Sequence, residues 1–230
     1  MSDTLPLFPL STVLFPGMRL PLHIFEERYR LLVAQLRAQP EPRRFGVIAI
    51  RKGREVGAEA VTALHEVGCV AEVREVTPHA DGRYDFQTVG TDRFRLVRLA
   101  PAGQTPYFRG EIELIPDVDA APDTAPAPGG VGSVVRQVQA GFRAYLNVLA
   151  DRGGGVISVA DLPDEPALLS YVVGAAMIID LRERQSLLAA PDALTRLRLA
   201  RSLLSRETAM FRATTSRPAP DFAFEQFSQN

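Results

Sequence analysis

The side chains best suited to chemistry here are few: Cys69, the single lysine Lys52, and three histidines, His23, His65 and His79. A cysteine nucleophile needs a base within hydrogen-bond reach, and His65 shares strand parity with Cys69. Four residues of strand span roughly 13 Å at about 3.3 Å each, so the two cannot meet. Cys69 therefore reads as a small core residue. The histidines fall on separate elements and show neither H-x-x-x-H nor C-x-x-C spacing, so no metal site is expected. His23 shares parity with Arg19 and Pro21, opposite Leu20, Leu22 and Ile24, and reads as a surface group. His79 stands beside Pro78 in a turn.

Gly129, Gly130, Val131, Gly132 and Ser133 have the outline of a phosphate loop entering a helix. A Walker loop needs a lysine beside its Ser or Thr, and Lys52 lies far upstream. A proline-rich stretch stands where a dinucleotide fingerprint requires a strand. No G-x-S-x-G elbow occurs. A Ser-Lys dyad would have to use Lys52, which lies among Arg51, Gly53 and Arg54 in a solvated turn. Arg196, Arg198, Arg201, Arg206 and Arg212 scatter around their helix, with only Arg198, Arg201 and Arg212 roughly aligned, and read as solvated side chains more than as an RNA-binding face. No catalytic residue and no cofactor is expected.

The bulk properties agree with a binding protein. Among 230 residues, 26 basic side chains balance 27 acidic ones, so no long-range field draws the chain to nucleic acid. With 46% hydrophobic residues the chain can bury a core. No run approaches the roughly 18 apolar residues of a membrane span, and the N-terminus lacks a secretion signal, so the expected location is the cytoplasm.

The elements that position these residues begin with strands. Leu5 to Leu10 and Arg19 to Ile24 carry Pro6, Pro9 and Pro21, which suits edge strands. A helix from Glu26 to Gln39 presents Tyr29, Leu32, Val33 and Leu36 on one stripe. Gly46 to Ile50 reads as a central strand, and the Val67 to Arg74 and Phe108 to Leu114 segments alternate as half-buried strands. Tyr84 to Val89 and Arg93 to Leu99 read as a hairpin turning at Gly90, Thr91 and Asp92. After a Pro/Gly-rich break the period becomes helical, with Ser133 as a cap and further helices over Pro166 to Met177, Asp180 to Ala189 and Asp192 to Thr214. Asp180 with Glu183 is spaced as a capping box. The expected organisation is a β-rich part over residues 1–116, a linker over 117–132, a helical part over 133–214 and an irregular tail over 215–230.

Particular phrases carry a resemblance. Leu5-Pro-Leu-Phe-Pro-Leu10, Val13-Leu-Phe-Pro-Gly17, Leu20-Pro-Leu-His-Ile-Phe-Glu-Glu-Arg-Tyr29, Gly90-Thr-Asp-Arg-Phe94 and Arg184-Gln-Ser-Leu-Leu188 together resemble the N-terminal substrate-recognition domain of Lon proteases. The resemblance implies an α+β fold: a PUA-like mixed β-barrel followed by a C-terminal helical bundle. It implies a non-catalytic module that binds unfolded or tagged polypeptides, as an adaptor or holdase for a separate protease. In Lon the ATPase and peptidase modules follow this domain, and a chain ending at Asn230 leaves no room for them, so protease activity is not expected. The alternative is a PUA-like binder of RNA or a modified nucleotide. Capture of polypeptides needs exposed apolar groups on a rigid scaffold. Phe15 and Met18 near the Pro16-Gly17 turn, and Phe222, Phe224 and Phe227 in the tail, are the candidate partner-binding residues.

Overall fold

The structure, a computed structural model, describes residues 3–55, 61–101, 105–117, 130–151 and 161–213. The strands β1 (Asp3–Leu10) and β2 (Arg19–Ile24) lead into helix α1 (Glu27–Arg37). Then come β3 (Arg44–Gly53), β4 (Val61–Pro78), β5 (Tyr84–Leu99) and β6 (Arg109–Ile115). Four helices follow: α2 (Val131–Leu149), α3 (Pro166–Ala176), α4 (Leu181–Ala189) and α5 (Ala193–Ala213). The fold is α+β. The strand order is β2-β5-β4-β3-β1-β6, and β5 also pairs with β6. That extra pairing closes five strands into a ring and leaves β2 outside it, hydrogen-bonded to β5. The sheet is mixed, because β1 runs parallel to β3 while the other pairings are antiparallel.

The expectation that both proline-bearing strands lie at an edge holds for β2 and is corrected for β1. Leu7 to Leu10 pair with β3, whereas Asp3 to Pro6 pair with β6. Each half of β1 thus has one ladder partner, so Pro6 and Pro9 withhold an N–H where one side needs none.

The hairpin expected around Gly90 is also corrected. Tyr84 to Leu99 is one strand, whose first half lies between β2 and β4 and whose second half lies between β4 and β6. The ladder slips opposite Gly90, between Cys69 and Ala71 of β4, so this segment bends the strand as a bulge and does not reverse it. Gly90 is required there because an added Cβ would stand 2.4 Å from the Phe15 carbonyl oxygen. The reversal expected at Asp81 and Gly82 is present, with Gly82 at φ +79°.

Inside the ring Leu7, Ile48, Val70, Phe94 and Ile112 form a small core. A second core lies under α1, where Tyr29, Leu32, Val33 and Leu36 meet Phe8, Phe45, Cys69, Ala71 and Phe86. This double coverage corrects the half-buried reading of β4, since Val67 to Ala71 are all buried. The largest core joins strands to helices: Val13, Phe15, Ala49 and Val67 pack with residues of all four later helices.

The last three of those helices start where acidic side chains cap them. Glu165 accepts from the N–H groups of Ala167 and Leu168 at 2.7 Å each, with Pro166 in the first turn, where its missing N–H costs nothing. Asp180 accepts from the Glu183 N–H at 2.8 Å, and Asp192 from the Thr195 N–H at 2.7 Å. The Glu183 carboxylate accepts in return from the Asp180 backbone, which completes the expected capping box, and it also pairs with Arg206 of α5. Ser133 is not a cap, since α2 begins at Val131 behind Gly130. Arg196, expected on a solvated face, is fully buried. The expected linker lies largely outside the described residues, and the expected tail entirely so.

Candidate functional site

Phe15, expected as an exposed contact, is 1% exposed. Its ring lies 6.3 Å from that of Tyr171 and would be 3.2 Å from a Cβ added at Gly174 of α3. The turn at Gly17, with φ +79°, directs Phe15 inward to the joint core, so it joins the two parts of the fold and presents nothing to a partner. Met18 is half-buried between two of the cores. Phe222, Phe224 and Phe227 lie outside the described residues.

A groove is built nearby from groups that the sequence reading passed over. It has a volume of about 180 Å³, and Phe8 to Leu10, Pro21 to Glu26, Tyr29 and Glu55 line it. Four of these, Pro21 to Ile24, come from β2, which has one strand neighbour among the described residues. Tyr29 stacks on Phe8 with ring centroids 4.0 Å apart. Its hydroxyl is buried without a hydrogen-bond partner, and burial pushes its pKa up to about 12. The Arg28 guanidinium lies 4.5 Å above the same ring, donates to the Glu55 carbonyl at 2.9 Å and pairs with Glu26 at 3.0 Å. The Glu55 carboxylate accepts the Ser11 N–H. These bonds tie the chain after β1, the chain after β3 and the start of α1 together as the groove's frame. At its rim Phe25 is 51% exposed. The sequence signal for it was a bulky aromatic in the connection between a strand and a helix.

Two histidines placed on separate elements come together. His23 and Asp85 face each other across the β2–β5 ladder, and Asp85 also faces Thr77 on β4, two residues before His79. The Asp85 carboxylate takes His23 Nδ1 at 2.6 Å and His79 Nε2 at 2.7 Å, which holds its pKa below the usual carboxylate range. His65 is apart from them, with its pKa lowered by partial burial. Cys69 is buried, its thiol pushed far above the ordinary range by desolvation, and is not a nucleophile near neutral pH.

Residues 4–206 match the family model described as the ATP-dependent protease La (LON) substrate-binding domain. The chain belongs to that family. Similar proteins include Lon protease 2 of Syntrophobacter fumaroxidans, 26% identical over 195 residues, which are 84% of this chain and 23% of that protein. Lon protease 2 of Sorangium cellulosum is 26% identical over 216 residues, 92% of this chain and 26% of its own length. The chain thus spans about a quarter of the curated relatives it matches. Among solved structures, a Lon N-terminal domain protein from Xanthomonas campestris aligns with a TM-score of 0.61 and 25% identity, covering 88% of this chain and 98% of that one. The N-terminal domain of Mycobacterium avium complex Lon protease aligns with the same TM-score at 18% identity, covering 90% and 98%, which speaks for the fold alone. The match is to Lon's substrate-binding part, and membership in that family supports a substrate-binding role. No helix among the described residues is long and apolar enough to cross a membrane.

Proposed function

We propose that the protein binds unfolded or tagged polypeptides in the cytoplasm, as an adaptor or holdase for a separate protease, and that the groove beside β2 receives an apolar side chain of the bound chain. A PUA-like barrel joined to a helical bundle is the architecture this reading assumes, with the 117–132 segment as linker. The observation that carries it is Phe25, a large exposed aromatic at the rim of an apolar groove in a substrate-binding fold. The volume argues for a side chain over a cofactor. Small-molecule pockets run from about 300 to 1,000 Å³, whereas a cavity of roughly 150 Å³ suffices for one benzene ring. His23, Glu26 and Glu55 supply polar groups at its wall. Met18 and the tail's Phe222, Phe224 and Phe227 are further candidate contacts. The RNA-binding alternative gains no support from the matched family.

The test is fluorescence anisotropy with a labelled, unstructured, aromatic-containing polypeptide. Phe25→Ala should weaken binding by about tenfold, the loss of an aromatic anchor worth roughly 1–2 kcal/mol, while Val97→Ala, at another exposed apolar position, changes nothing. Apolar capture should persist in added salt. Equal binding by parent and Phe25→Ala would remove the groove from the reading. Tight binding to single-stranded RNA that falls steeply with salt would replace the reading altogether.

A further inference from the structure

The geometry points to a divalent transition-metal site, zinc by its donor set, formed by His23, His79 and Asp85 at the β2 edge of the sheet. The three donor atoms, His23 Nδ1, His79 Nε2 and an Asp85 carboxylate oxygen, all lie within 4.8 Å of one another. A tetrahedral zinc ion with bonds of about 2.0–2.1 Å sets its ligands roughly 3.3 Å apart, so small side-chain rotations close the site. Two imidazoles and one carboxylate suit zinc, copper or nickel and do not suit calcium or magnesium, which take oxygen ligands. Water would fill the fourth position.

The arrangement is not an accident of long surface side chains. His23 and Asp85 are paired across the ladder. The Pro78–Tyr84 pairing closes the turn that carries His79, whose N–H donates to the Arg83 carbonyl at 2.9 Å. Both imidazoles already direct a ring nitrogen at one carboxylate, and their ring centroids are 5.9 Å apart. Entry of a cation exchanges two hydrogen bonds for three coordinate bonds. Arg83 Nη1 lies 3.4 Å from His23 Nε2, the nitrogen that carries the proton once Nδ1 binds metal, so that guanidinium has to turn aside. It is half-exposed and already paired with Asp81 at 2.5 Å, which supplies a place to turn to. The bound ion would link β2, the β4–β5 turn and β5, clamping a strand that has one ladder neighbour among the described residues. His23 also lines the groove, so the ion would sit at one of its walls, but the donor geometry does not rest on what the groove binds.

The test uses the tag-free full chain, stripped with a chelator, dialysed, and titrated calorimetrically with zinc chloride. One ion per chain is expected. Changing an outer-shell partner alone costs a metal site roughly 10- to 100-fold, so His79→Gln and Asp85→Asn should each weaken zinc at least that much. His65→Gln should leave it unchanged. Far-UV circular dichroism of the metal-free variants, whose substituted groups are partly exposed, should match the parent. Zinc should also raise the melting temperature of the parent and not of Asp85→Asn. Absence of saturable zinc uptake, uptake unchanged in both variants, uptake abolished by His65→Gln, or preference for calcium or magnesium would each overturn the assignment.

Discussion

Arg93 of β5 and Arg196 of α5 reach the same carboxylate, Asp117, at 3.1 and 3.5 Å. Both guanidiniums are buried, and both also hold main-chain carbonyls at the end of α4. Arg93 donates to Leu188 and Ala190 at 3.0 and 2.6 Å, and Arg196 to Leu187 at 3.1 Å. Tyr171 of α3 donates its hydroxyl to Asp117 at 2.5 Å, and the Arg196 guanidinium lies 4.2 Å above its ring. Strand, loop and three helices are thereby fixed around one acid. Asp117→Ala leaves two buried cations short of a counter-charge. Breaking a fully buried pair costs about 3–5 kcal/mol, and the partial exposure of Asp117 reduces that to roughly 2–3 kcal/mol. Urea denaturation of the variant and parent measures it. A loss below about 0.5 kcal/mol, the level of an ordinary surface substitution, would show that the cluster does not hold the halves together.

Phe15→Ala should cost about 3–5 kcal/mol, because it empties a ring-sized space at the joint core. Phe15→Leu should cost less, since it keeps most of the volume. Chemical denaturation followed by far-UV circular dichroism gives both values.

The ring interior is tight around Phe94. A Cβ at Gly68 would stand 2.4 Å from its ring and 2.5 Å from the Val47 carbonyl oxygen, and the latter cannot swing away. Gly68→Ala should therefore destabilise by about 1–3 kcal/mol or more. Pairing it with Phe94→Leu should recover part of the loss, a coupling that a double-mutant cycle reads directly.

Asp192 caps α5, and its hydrogen bond from the Thr195 N–H lowers its pKa below the ordinary 3.8. A carboxylate depressed in the folded state contributes stability that is present above the unfolded value and lost as pH falls through the folded one. Asp192→Ala should cost about 1 kcal/mol at pH 7. The difference between variant and parent should shrink as pH drops below 3.8, as denaturation at a series of pH values would show.

Thiol reagents should leave Cys69 untouched in the native protein at pH 8 and label it fully in denaturant, because burial raises its pKa and blocks access. Rapid native labelling would contradict the burial.

What was legible from sequence follows from range. Periodicity found the α1 stripe, the buried run of β3 and the caps at Asp180 and Asp192, since each depends on neighbours a few residues away. The same local reading took Gly90-Thr91-Asp92 for a turn. A glycine followed by polar residues serves a bulge equally well, and only the partners on both sides of β5 decide between them. Phe15 looked exposed because it sits beside Pro16 and Gly17, and its cover comes from Tyr171 and Gly174, far along the chain. Parity placed His23 on the surface correctly, but its meeting with His79 depends on the registers of β2 with β5 and of β5 with β4. The Phe25 groove was missed for the same reason, since its walls come from separate stretches.

The position of Phe15 under α3 bears on how such a fold can serve varied partners. With that ring driven between the strands and the helices, swinging one part against the other would mean pulling an aromatic plug out of packed surroundings. Hinged closure is thereby disfavoured as a way to grip different chains. On the polypeptide-binding reading proposed above, tolerance would have to come from side-chain rotamers at the rim, the fingertips of an otherwise stiff palm.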